Sequence, residues 1–204
     1  MERKDSMKKT GYWTMACLLA VITVFSGCAS NGGKEAAEGT VRVLFASAVV
    51  DSSAAEEYAS KLAERSDKIQ AVECSTISLG NQSDPTMYMA GTMKVAAMVA
   101  GKEVDVIFFD RDAAAADARA ETFYALDELF SADALAQMQD RLIRYHQVDT
   151  EGNELQEETA DCGLDLSDDA ELTKILNSSQ VGVYVVGNAQ NLEAVKALIL
   201  SYLK

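Results

Sequence analysis

An α/β fold is what this sequence predicts: a single three-layer domain over residues 41–204, with a mostly parallel sheet flanked by helices and a small β-hairpin excursion. Three observations carry that expectation. Residues 41–50 and 104–109 are apolar nearly throughout and rich in β-branched and aromatic side chains, as suits strands buried on both faces. Segments with helical caps and helical periodicity separate these runs from one another. The resulting order, strand, helix, strand, helix, strand, is that of right-handed crossovers between parallel strands.

Each element has its own warrant. After the first strand, Asp51-Ser52-Ser53 offers N-cap oxygens, and Ser53 with Glu56 has capping-box spacing. The helix 53–66 then sets Ala55, Tyr58 and Leu62 on one stripe. Residues 70–79 read as a second strand closed by a turn from Gly80 to Ser83. Asp84-Pro85 gives an N-cap followed by proline at the first helical position, and Gly101 stands where that helix should end. Residues 104–109 form the third strand, followed by Asp110-Arg111-Asp112, an alanine-rich helix at 113–120 and another helix at 131–140. Residues 141–160 read as a hairpin insertion whose turn holds Asp149 to Asn153 with Gly152. A short helix at 168–177, a β run at 181–187 and a closing helix at 190–203 complete the chain.

Composition narrows the function. The 204 residues carry 18 Lys+Arg against 32 Asp+Glu, a formal charge of −14. A nucleic-acid partner needs clustered basic residues, so that class is excluded. One His and four Cys, without CxxC or HExxH spacing, leave most metal and nucleophile templates unfilled. A non-enzymatic protein without cofactor or bound metal is expected.

The first residues read as an address. Residues 1–14 are net basic, and residues 15–25, MACLLAVITVF, are unbroken apolar but too short to span a bilayer. Phe25-Ser26-Gly27-Cys28 resembles the lipobox of bacterial lipoproteins, with Phe where Leu is usual. The resemblance implies removal of a signal peptide, 1–27, lipidation of Cys28 and display at the outer face of the cell membrane. Residues 28–40, small and polar after the Cys, read as a flexible lipid-anchored tether.

A second resemblance concerns the body of the chain. Ala100-Gly101, then Val104-Asp105-Val106-Ile107, then Leu126-Asp127-Glu128-Leu129 is similar to the first lobe of extracellular solute-binding proteins of the ABC-transporter type. Val181 to Val186 followed by Asn188 to Val195 is similar to the strand and closing helix that return to that lobe. Only the hairpin stands where a second lobe would be, so a shortened, one-lobe relative is implied. Its partners would be a small polar ligand, a transporter or another membrane protein.

In open α/β sheets, ligands sit beyond the carboxyl ends of the strands. That places Ser47, Asp51 and Ser52 after the first strand and Asp110 and Arg111 after the third as candidate ligand residues, with Ser53, Gly80, Asn81, Ser83 and Asp112 nearby. The same carboxylates and hydroxyls can serve as helix caps alone, and Arg111 as a surface ion pair. Met87, Met89, Met93 and Met98 share one helix. Thioethers there can hold Cu(I), fill core gaps or make an adaptable interface. Cys74 and Cys162 are either a disulfide or two thiols. His146, and the acidic stretch from Glu151 to Asp161, read as solvated hairpin residues. An interaction or structural lipoprotein without a small-molecule site is the alternative reading, favoured if the methionine helix exposes apolar surface.

Overall fold

A computed structural model describes residues 35–203, Gln82 excepted. Cys28, the leader and most of the tether lie outside the described residues. Residues 36–40, read above as tether, are fastened to the domain. Gln190 Oε1 accepts from the Ala36 amide, and Asn191 Nδ2 donates to the carbonyls of Ala37 and Thr40.

The domain is α/β, built on a mixed six-stranded sheet. Strand β1 (Thr40–Ser47) is buried along its whole length, because both of its faces are covered. β2 (Ala71–Ser78) and β3 (Val106–Asp110) run parallel to it on either side. The helix between β1 and β2, α1 (Ser52–Leu62), starts at Asp51, whose carboxylate accepts from the Ala54 amide, and runs into a 3-10 turn at Ala63–Arg65. The next, α2 (Pro85–Ala100), starts at Asp84, which accepts from the Thr86 and Met87 amides. Gly101 keeps right-handed dihedrals there, and Lys102, with φ 54°, makes the left-handed turn that releases the chain.

Beyond β3 the expected parallel order ends. Helices α3 (Arg111–Arg119), α4 (Leu126–Leu129) and α5 (Ala132–Met138) lead to β4 (Leu142–Ile143), the two-stranded β5 (His146–Val148) and β6 (Glu154–Glu158), and β7 (Gly163–Asp165). α6 (Ala170–Ile175) precedes β8 (Val181–Val185), and α7 (Leu192–Leu200) closes the chain. The strand order is β2-β1-β3-β8-β7-β4, with β8 antiparallel to both β3 and β7, and β4 antiparallel to β7. Two strand pairs are therefore parallel and three antiparallel, which corrects the mostly parallel sheet. The physical reason is the entry point of β8. An apolar strand buried on both faces pairs equally well in either direction, and α6 delivers the chain to the edge of the sheet where β3 ends.

The hairpin is also larger than its two-stranded tip. β4 and β7 pair within the main sheet, and the Thr159 amide donates to the Tyr145 carbonyl beyond them. Residues 142–165 are thus one bent antiparallel arm. Its base belongs to the sheet, and every residue of β6 in its tip is exposed.

Side chains of β1 alternate between two apolar clusters. Val41, Val43 and Phe45 meet Tyr58 and Leu62 of α1, Leu172 of α6 and Leu198 of α7. Leu44 and Ala46 meet Val95 of α2, Ala114 and Ala118 of α3 and Tyr184 of β8. Phe45 and Phe108 stack at 4.8 Å, with the Tyr58 ring edge-on to both.

Candidate functional site

The crossovers from β1 to β2 and from β2 to β3 run in opposite directions across the sheet, so it has a switch point between β1 and β3. Three of the five candidate ligand residues, Asp51, Ser52 and Arg111, stand beyond the ends of these strands, and Ser47 and Asp110 are the last residues of β1 and β3. None of the hydrogen bonds these residues make joins one to another. Ser47 is buried, and its carbonyl accepts from the Leu79 amide. Asp51 is the cap of α1, and its own amide donates to the Ile175 carbonyl. Ser52 Oγ lies 2.9 Å from Thr76 Oγ1 on β2. Asp110 caps α3 through the Ala113 amide and accepts from Ser178 Oγ at 2.6 Å. Arg111 Nη1 donates to Asp165 at 2.6 Å, and its amide donates to the Gln180 carbonyl.

A single segment supplies the partners of Asp51 and Asp110 and of the Arg111 amide. Residues 175–180, between α6 and β8, touch both rims of the switch point, at Asp51 on one side and at Asp110 and Arg111 on the other. The antiparallel entry of β8 brings that segment to the strand ends, where a ligand would sit in a wholly parallel sheet. Next to it is an open depression of about 470 Å³ lined by Ser167, Thr173, Asn177, Ser178 and Ser179. Ser178 and Asp165 gave no sequence signal, because each reaches Asp110 or Arg111 only through the unexpected strand direction.

A second polar centre lies at the other end of the same strands. Arg42 and Asp105 are bidentate, Nε to Oδ2 at 2.9 Å and Nη2 to Oδ1 at 2.6 Å, and the Asp105 side chain is fully buried. The Arg42 and Gln190 amides also donate to Asp105, and Arg42 Nη1 donates to the Lys102 carbonyl. The hydrogen bond to Asp105 holds the guanidinium above its ordinary pKa. Every charge-bearing atom is matched, as a buried ion pair requires. The pair joins β1 to the start of β3 and is structural. Its signal was legible: opposite charges at matching depth in two apolar runs.

The methionine helix is the outlying element. Only Gly91 and Val95 of α2 are buried. Gly91 makes the closest approach, since a Cβ there would come within 2.7 Å of Leu79 Cα. Met98 packs half-buried on the second cluster, whereas Met87, Met89 and Met93 are 57, 61 and 66% exposed. The four thioethers therefore do not converge, and the Cu(I) reading is set aside. Among the described residues, no group of three His, Cys, Asp or Glu side chains is placed to hold a metal ion.

Cys74 and Cys162 are both free thiols, so the disulfide alternative is set aside as well. Burial raises both, Cys74 to about 11. His146 is exposed, with Nε2 3.8 Å from Glu158. Beneath the arm, Phe123, Tyr124, Thr159 and Cys162, with Glu121, Glu128, Glu157 and Glu158, line a groove of about 510 Å³. No helix among the described residues is long and apolar enough to cross a membrane.

Comparison with protein-family models, with curated proteins and with solved structures found no match to this chain.

Proposed function

We propose that this chain is a non-catalytic interaction module of the cell envelope, held at the outer face of the membrane by lipid on Cys28. The observation that carries the interaction is α2. It is a 16-residue helix with a single charged side chain, Lys94, yet only two of its residues are buried and three of its methionines stand in solvent. A helix apolar all round is ordinarily enclosed by protein, and an exposed apolar face of this kind is the usual mark of a partner surface. Methionine suits such a surface because its unbranched thioether adapts to the shape it meets. Support for the anchor comes from the basic start, the apolar run at 15–25 and Phe25-Ser26-Gly27-Cys28.

The anchor is tested by labelling cells with a fatty-acid analogue: the parent chain takes label and partitions to membranes, and Cys28→Ala does neither. The surface is tested with a photocrosslinking residue at position 93, with position 57 on α1 as control. Adducts at 93 and none at 57 support the reading. Silence at both positions removes it.

One observation favours a second, solute-binding reading on the same three-layer scaffold. The depression at Ser167 and Ser178 is lined by hydroxyl and amide side chains and connects through Ser178 to Asp110. A small polar ligand there at a hundred times its Kd would stabilise the domain by about 2.7 kcal/mol. A thermal-shift screen that finds such a ligand, with the shift lost in Ser178→Ala, would favour this reading over the first.

A further inference from the structure

We infer that the partner of α2 is α2 of a second copy of this chain, packed antiparallel about a two-fold axis at Met93; the inference rests on the interaction reading above. The outward residues of the helix fall on a regular seam. Thr86, Met89, Met93, Ala96 and Ala100 follow one another at alternating intervals of three and four residues, the spacing of a two-helix seam, and Ala90 and Ala97 flank them. All seven lie within about 60° of one line along the helix, opposite the buried Gly91 and Val95. None carries a charge. Lys94 lies at the edge of the seam.

The seam is graded in size. Its N-terminal half bears Thr86, Met89 and Ala90, its centre Met93, and its C-terminal half Ala96, Ala97 and Ala100. An antiparallel pair centred on Met93 sets Met89 against Ala97 of the second copy and Thr86 against Ala100, so that Met89 meets a small residue, and the two Met93 side chains meet on the axis. The two helix dipoles then oppose each other favourably. A parallel pair would stack thioether on thioether at both Met89 and Met93, and would leave the alanine halves with a gap. An isologous interface has to be self-complementary, and this face meets that condition in size. The acidity of the whole chain opposes the contact only through long-range repulsion that salt screens, because the seam is its uncharged part.

The test uses the full chain in mild detergent. Sedimentation up to about 200 µM should show a reversible monomer–dimer equilibrium. Met93→Lys, at a 66% exposed position, should weaken the dimer at least tenfold and leave the melting temperature unchanged at concentrations where both chains are monomeric. Mixing Met89→Cys chains with Ala97→Cys chains under mild oxidation should give cross-linked dimer well above either variant alone or the parent, which is the signature of the antiparallel register. A mass of one chain at every concentration, a dimer untouched by Met93→Lys, or cross-linking strongest in Met89→Cys alone would overturn the inference. If the chain is monomeric while position 93 still captures another membrane protein, self-pairing fails and the interaction reading stands. If neither occurs, both fail.

Discussion

Arg42 and Asp105 show how much of this domain rests on single residues. Removing one partner of a buried, fully hydrogen-bonded pair leaves an uncompensated charge, at a cost of about 3–5 kcal/mol. Asp105→Ala is therefore expected to lower stability by that amount in urea denaturation. Arg42→Met combined with Asp105→Leu should recover most of the loss, because the double change removes both charges and leaves apolar bulk. Cys74 gives a chemical prediction. Its thiol is pushed up to about 11 by burial, against an ordinary 9.0. The thiolate is the nucleophile, so at pH 8 alkylation should run about a hundredfold below that of a free thiol and rise toward pH 11, as peptide mass spectrometry after iodoacetamide would show. Asp117 gives a prediction in pH. Burial near the end of α3 raises its carboxyl above the ordinary 3.8. The folded state thus holds this proton more tightly than the unfolded one. Stability from this group is full below pH 3.8 and is lost as pH rises through the folded value. Asp117→Asn should raise the melting temperature at pH 7, with the gain vanishing in acid.

At the scale of the element, helix starts were legible wherever the cap is local. Asp84-Pro85 fixed the start of α2, and Asp110 and Asp51 turned out to be caps of α3 and α1. A cap is satisfied by amides two or three residues away, so its signal lies in neighbouring letters. The same fact explains why the two carboxylates read as ligand candidates, Asp51 and Asp110, are occupied within the fold. Side-chain packing across strands was not legible. Tyr184 on β8 lies over Gly163 of β7 and Gly182 of its own strand, where an added Cβ would stand 2.6 Å from the ring or its hydroxyl. Its hydroxyl lies 2.6 Å from that of Tyr145, which donates to the Arg111 carbonyl. Gly163→Ala is expected to cost about 1–3 kcal/mol by overpacking, seen as a melting-temperature fall of several degrees. Nothing in the sequence around Gly163 points to a tyrosine 21 residues away.

For the whole molecule, the main surprise is the direction of β8. It converts a parallel pattern into a mixed sheet and places residues 175–180 at the switch point, where solute-binding proteins would leave room for a ligand. The arm is a second whole-molecule feature. Its tip turns on Asp149, which accepts from the amides of Glu151 and Asn153 and from Asn153 Nδ2, and the Asn153 side chain holds its carboxyl below the usual range. No residue of the tip between 148 and 156 belongs to either apolar cluster. Replacing 148–156 with a two-residue turn should leave a single cooperative unfolding transition with a melting temperature within a few degrees of the parent.

By itself the sequence determined the α/β class, the main strands and helices, the caps at Asp51 and Asp84, and the lipobox resemblance at Cys28. These depend on the period of apolar residues and on contacts a few residues apart, which a linear string records. Tertiary structure alone decided the direction of β8, the segment that meets Asp51 and Asp110, and the packing of Tyr184 on two glycines. It also decided which methionines of α2 remain in solvent. Each of these depends on which distant surfaces meet. An apolar strand carries no mark of its direction, and an apolar helix carries no mark of how much of it the rest of the chain will cover.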